Sequence, residues 1–209
     1  MTRAYIIALP ERRERALAAV PGKWPFEHTE LVEAVDGRRL TVPDQWKYTG
    51  GGYGCLMSHM RVLELALSRN EQQIAVFEDD CTFCVEFAGV YREVLSAVSS
   101  DWQQLYLGGQ HLQKPDPVNE WIVAARDINR THAYMLRGWD TMRLLYCYVM
   151  SNLGAGRRAG QLDYLYGDLH RSSAIRAYAP AVWLCGQAAG DSLIHPERQG
   201  EQERWWSEW

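Results

Sequence analysis

The chain has 209 residues, of which 47% are hydrophobic and 23% charged. That composition fits one soluble globular domain, alone or with a small appendage, and the length suffices to bury a single sizeable core. The formal net charge of −4 gives no global attraction to nucleic acid or anionic membrane.

Met1-Thr2-Arg3-Ala4-Tyr5-Ile6-Ile7 runs directly into a strand-like segment with no apolar h-region, so no signal peptide is expected. No apolar run reaches the length needed to cross a bilayer, so no transmembrane segment is expected. Cys55, Cys81, Cys84, Cys147 and Cys185 are odd in number and scattered, which points to reduced thiols in a cytoplasmic protein. Cys81 and Cys84 form a lone CxxC; without a second pair it reads as structural or incidental thiols before zinc.

Residues 4–9 read as a first buried strand. Pro10 opens a helix carried on through Glu11–Val20. Arg12, Arg13 and Arg15 crowd its first turn and oppose the helix dipole, so either an anion such as phosphate lies near or they form a solvated face. Pro21-Gly22 breaks the helix. Phe26–Val35 is a second strand region that ends in Asp36-Gly37, a turn with one carboxylate at a strand end, where a ribose hydroxyl can donate to it.

Gly50-Gly51-Gly52-Tyr53-Gly54 precedes a helix whose Leu56, Met60, Leu63 and Leu67 keep helical spacing. The glycines permit close backbone approach to a ligand at the helix start, in neither the Walker nor the Rossmann pattern. Ser58 and His59 lie in its second turn; His59 is open to a ligand-contacting or a structural role.

Ile74-Ala75-Val76-Phe77 is a short run with both faces apolar, as in a buried parallel strand. Glu78-Asp79-Asp80 follow at its carboxyl end, where open α/β sheets bind ligands. Three adjacent carboxylates raise one another's pKa unless a cation sits among them, and an all-oxygen set suits Mg²⁺ or Mn²⁺. The alternative is a solvated acidic turn.

Phe87–Val98 is a further helix and Leu105–Leu107 a strand ended by Gly108-Gly109. Residues 110–119 form a polar loop. Trp121–Ala125 and His132–Leu136 are strands, and Gly138–Met150 is a helix with Met142, Leu145 and Val149 on one face. After a basic glycine-rich stretch with Arg157 and Arg158 come Gln161-Leu162-Asp163-Tyr164-Leu165, then strands at Ala174–Tyr178 and Ala181–Cys185. No internal repeat is present. Strand–helix alternation to about residue 110 argues for a parallel α/β sheet, and the less regular remainder suits an acceptor half behind a nucleotide-binding half.

Five ordered segments resemble glycosyltransferase family 25, whose members include bacterial lipooligosaccharide and animal collagen galactosyltransferases. They are Tyr5–Arg13, Glu33–Gly37, Gly54–His59 (like Gly-Cys-x-x-Ser-His), Val76–Asp80 (like a Glu-Asp-Asp metal motif) and Thr131–Tyr134. The resemblance implies an α/β, GT-A-like single domain over 1–199, with a mostly parallel central sheet flanked by helices. Within it, 1–110 is the nucleotide-sugar half and 111–199 the acceptor half, followed by an acidic Trp-rich tail over 200–209. It further implies a UDP-sugar donor, Mn²⁺ (or Mg²⁺), and inverting transfer of galactose or glucose to a glycan or other hydroxyl acceptor, as in lipopolysaccharide biosynthesis. On that resemblance, Asp80 and Glu78 are metal ligands with His195 as a third. Leu9, Arg12, Arg13, Asp36, Ser58, His59 and Asp79 line the donor site, and Asp163 is the general base or an acceptor contact. Gln161-Leu162-Asp163 stands where the family has Pro-Val-Asp, and Asp191-Ser192 reverses the order of its later pair.

Three other readings compete. A nucleotidyl- or phosphoryltransferase would need a phosphate-gripping lysine, and Lys23, Lys47 and Lys114 are the only lysines. An inactive sugar-binding relative is opposed by the intact acid triplet. A modified nucleic-acid base as acceptor is opposed by the net charge, with Arg157 and Arg158 its only local support. The sequence carries no signal for oligomeric state.

Overall fold

The structure, a computed structural model, describes residues 1–155, 160–190, 194 and 202–205. Its strands are β1 (Arg3–Ala8), β2 (His28–Glu33), β3 (Gln73–Glu78), β4 (Cys81–Phe83), β5 (Gln104–His111), β6 (Asp116–Pro117), β7 (Ile122–Ala124), β8 (Ile128–Arg137), β9 (Ala177–Pro180) and β10 (Cys185–Gln187). The α-helices are α1 (Arg13–Ala19), α2 (Gly50–Ser68), α3 (Phe87–Ala97), α4 (Trp139–Ser151) and α5 (Leu162–Arg171); single 3₁₀ turns occupy Pro10–Arg12 and Gly37–Arg39. None of the described helices is long and apolar enough to cross a membrane.

Eight strands form one sheet in the order β2-β1-β3-β8-β5-β9-β7-β6. β1 pairs in parallel with β2 and β3, and β5 with β9, while β8 lies antiparallel between β3 and β5, and β7 antiparallel between β9 and β6. Only β7 and β8 therefore run against the rest, so the sheet is mostly parallel in strand direction. It is continuous across both halves of the chain. β4 and β10 form a separate antiparallel pair.

Side-chain alternation along the strands builds two cores. Tyr5, Ile7, Ile74, Val76, Tyr134 and Leu136 pack on one face with Leu56, Met60, Met142, Leu145, Leu165 and Tyr166 from α2, α4 and α5. Ala4, Ile6, Ala75, Phe77, Ala133 and Met135 pack on the other with Ala16, Phe87, Tyr91 and Val94 from α1 and α3. The result is a helix–sheet–helix sandwich, an α/β fold with the mostly parallel central sheet flanked by helices that the resemblance implies.

Three expectations change. α2 begins at Gly50 rather than after the glycines, because Thr49 caps it by accepting from Gly52 N at 3.1 Å. Its glycines admit the chain's own backbone: a Cβ on Gly54 would lie 2.5 Å from Val35 O and 2.6 Å from Gly37 N. Gly108 and Gly109 do not end β5 but lie inside it, because His132 Nε2 and Cys185 O would each stand 2.4 Å from a Cβ on Gly108. Leu162, Leu165, Tyr166 and Leu169 form the buried stripe of a helix, α5, where only a short segment was read.

Candidate functional site

A cleft of about 220 Å³ opens at the carboxyl ends of β1 and β3, the place where open α/β sheets bind ligands. Its walls include Leu9, Arg12, Asp36, Ser58, His59, Glu78, Asp79, Asp80 and Asp163. The structure thus brings together nearly all the sequence-read residues. Arg13 is the exception: its side chain pairs with Glu33 at 2.6 Å, away from the cleft. His195, Arg157, Arg158, Asp191, Ser192 and most of the tail lie outside the described residues.

The three acids separate by direction. Glu78 follows Ile74 and Val76 on the strand face turned to α2. There its Oε1 accepts from His59 Nε2 at 3.2 Å and from Thr131 Oγ1 at 3.0 Å. A carboxylate only accepts, so His59 carries its proton on Nε2, and Nδ1 accepts from the Tyr134 hydroxyl at 2.9 Å. Burial is the largest single influence on Glu78 and opposes its charge, but the bonds from His59 and Thr131, together with the electrostatic pull of His59 and His132, outweigh it and hold the carboxyl below its usual range. Asp79 turns to β1, accepting from Leu9 N and Arg12 Nη1, each at 3.3 Å. Burial nonetheless leaves its pKa raised, with Arg12 acting against that shift.

Asp80 is held differently. Its Oδ2 accepts from Gln187 Nε2 at 3.2 Å, and its backbone carbonyl accepts from Ala188 N at 2.6 Å. Oδ1 is buried and meets no hydrogen-bond partner among the described residues. Burial, then the charges of Glu78 and Asp79, push this carboxyl up to about 7. A buried oxygen without a donor, on an acid held close to neutrality by two neighbouring acids, fits a cation as the missing partner.

Cys55, His59 and Glu78 place a thiol, a ring nitrogen and a carboxylate oxygen within 4.8 Å of one another. Burial drives the Cys55 thiol well above its ordinary pKa, reinforced by the Glu78 charge. The His59–Glu78 hydrogen bond already accounts for the proximity.

Asp36 caps the Gly37–Arg39 turn and binds Arg38 through both oxygens, at 2.7 and 2.8 Å. That pairing lowers its pKa. Ser58 accepts from Val35 N at 2.8 Å and donates to Gly54 O at 2.6 Å, tying α2 to the same turn. Asp163, at the start of α5, accepts from Arg130 N at 3.3 Å and from Tyr164 N at 2.9 Å. Burial raises its pKa despite those bonds and the Arg130 charge. Arg130 reaches this position with φ of 80°, a left-handed conformation uncommon for a non-glycine residue.

Arg15, read with Arg12 as part of the arginine-crowded first turn, also lines the cleft, whereas sequence reading missed Gln187, Arg38, Arg130 and Arg204 as cleft residues. Nothing local marks them, because the fold delivers them from segments far from the acids. No lysine lines the cleft.

A family model described as glycosyltransferase family 25 (LPS biosynthesis protein) matches residues 42–145. The chain is 32% identical over 143 residues to the Bos taurus probable inactive glycosyltransferase 25 family member 3, covering 57% of this chain and 23% of that one. It is 32% identical over 169 residues to the Homo sapiens inactive glycosyltransferase 25 family member 3, covering 68% and 28%. Over 72 residues it is 33% identical to procollagen galactosyltransferase 1-A of Xenopus laevis, covering 33% and 12%. The matched region is thus about a quarter of the length of the first two relatives. An α/β sheet with an acid-lined cleft at its strand ends is a framework for transferases that handle charged donors. This chain belongs to glycosyltransferase family 25.

Proposed function

We propose that the protein is a metal-dependent glycosyltransferase that moves a hexose, galactose or glucose, from a UDP-sugar to a hydroxyl of a glycan or other acceptor, with inversion. The observation that carries this reading is Asp80 Oδ1, buried and lacking a donor among the described residues in a cleft it shares with four further acids and several arginines. Asp80 would hold Mn²⁺ or Mg²⁺ through that oxygen. Glu78 would contribute only through its second oxygen, since His59 and Thr131 occupy the first. When bound, such an ion neutralises charge that grows on a departing diphosphate.

The chain's own groups supply the rest. Arg12 and Arg15 stand beside the acids and balance a dianionic donor. Asp163 is the proposed base: two backbone N–H groups fix its orientation, and its raised pKa makes it a stronger proton acceptor. Inversion needs one such base on the acceptor side. Residues 1–110 supply most of the donor wall, and Arg130 and Asp163 belong to the proposed acceptor half.

The names of the bovine and human relatives favour a second reading, a protein that binds a nucleotide sugar without turning it over. Release of UDP from UDP-galactose and UDP-glucose, with Mn²⁺ and a panel of hydroxyl acceptors, separates the two. Wild type is expected to release UDP, Asp80→Asn to lose activity at least 100-fold, and Asp163→Asn to lose transfer while still binding donor. Donor binding without release by wild type selects the second reading; no donor binding at all overturns both.

A further inference from the structure

Gln202 and Arg204 form part of the cleft wall. Gln187 N donates to Arg204 O at 3.0 Å, and Arg204 N donates to Gln187 O at 2.9 Å, an antiparallel bridge. Glu203 Oε1 accepts from Thr82 Oγ1 at 3.1 Å and from Trp205 Nε1 at 2.8 Å. On its other side Gln187 pairs with Cys81 of β4. Gln187 therefore lies between its register partner in β4 and the segment at 202–205, and Arg204 engages both its backbone N–H and its carbonyl. Gly186 makes room for this outer segment: a Cβ there would lie 2.7 Å from Arg204 O and 2.7 Å from the Trp205 ring.

From this fixed backbone the Gln187 side chain donates to Asp80 Oδ2. An aspartate carboxylate turns over a broad, two-fold torsion. The acid alone does not decide which oxygen faces the cleft. A neutral amide donor binds one oxygen without cancelling the carboxylate's charge, and leaves Oδ1 as the oxygen for a ligand.

We infer that Gln187 is the positioning residue of Asp80, and that the bridged segment at 202–205 locks Gln187 in place. This rests on the metal-dependent reading above. It gives the 202–205 part of the Trp-rich tail a role inside the site: Trp205 and Glu203 fasten the segment that aims the acid.

The test is Mn²⁺ binding followed by electron paramagnetic resonance of the free ion, with hydrogen exchange of the peptide containing Arg204 measured in parallel. Wild type is expected to bind Mn²⁺ and to protect Arg204. Gln187→Ala and the isosteric Gln187→Met should bind Mn²⁺ about 10- to 100-fold more weakly, as expected for loss of a residue that orients a ligand. Their thermal midpoints should stay close to wild type. Gly186→Val should lose both Arg204 protection and Mn²⁺ affinity. Wild-type affinity in both Gln187 variants, or an undocked tail with full affinity in Gly186→Val, overturns the positioning role alone. A wild-type chain that binds no Mn²⁺ overturns the metal reading and this role with it.

Discussion

At Asp80 a buried carboxyl meets two neighbouring acids and a single neutral donor. Its pKa rises from 3.8 to about 7. Without metal, the folded chain holds this proton over a pH range in which the unfolded chain has released it. Stability from this group is therefore fully present below about pH 4 and is lost as pH rises through about 7. Asp80→Asn removes the titration. Urea denaturation of the metal-free proteins should show the variant more stable than wild type at pH 8, on the order of a few kcal/mol, with the gap closing toward pH 4. An equal gap at both pH values would refute the shift. The acid triplet itself was legible in the sequence, because an apolar run into three acids is a local pattern. The division of labour within it was not. His59 and Thr131 direct Glu78, Leu9 and Arg12 direct Asp79, and Gln187 directs Asp80, each group reaching the acids from a different part of the chain.

At the scale of elements, strands with both faces apolar and the α2 stripe were readable because burial writes a period into local sequence. The glycine-rich start of α2 was misread because glycine marks space without saying what fills it. Here the 35–37 backbone fills it. α5 did carry a readable i, i+3, i+4, i+7 stripe, at Leu162, Leu165, Tyr166 and Leu169. Two glycines in helices separate packing from propensity. Gly54→Ala should cost about 1–3 kcal/mol, since a methyl group would overlap Val35 O. Gly89→Ala, in α3 with nothing within 4 Å of the added carbon, should stabilise by about 0.5–1 kcal/mol. Chemical denaturation of the pair checks both; a loss of stability at Gly89 or none at Gly54 would contradict the packing described.

For the whole molecule, the main sheet and the small β4–β10 pair together carry residues from both halves of the chain to a single cleft. The α/β class followed from strand–helix alternation. The reversed strands β7 and β8 did not, because direction is set by pairing between segments distant in sequence. A ligand gripping both sides of the cleft stabilises the entire sandwich. Mn²⁺ with UDP-galactose or UDP-glucose at about 100 times the dissociation constant should contribute about 2.7 kcal/mol, raising Tm by roughly 5–10 °C. Asp80→Asn should show no such rise, and a wild-type Tm indifferent to every nucleotide sugar would count against the proposed function. The place of β8 also has a consequence in time. It joins β3 through Phe77 and Ala133, and Cys81 then waits for Gln187. Closing such long loops is slow, whereas α2 forms from local contacts. During synthesis the acids at the end of β3 therefore stay hydrated until β8 and then β10 arrive. Desolvation of the three acids thus comes late, after the scaffold able to support it exists.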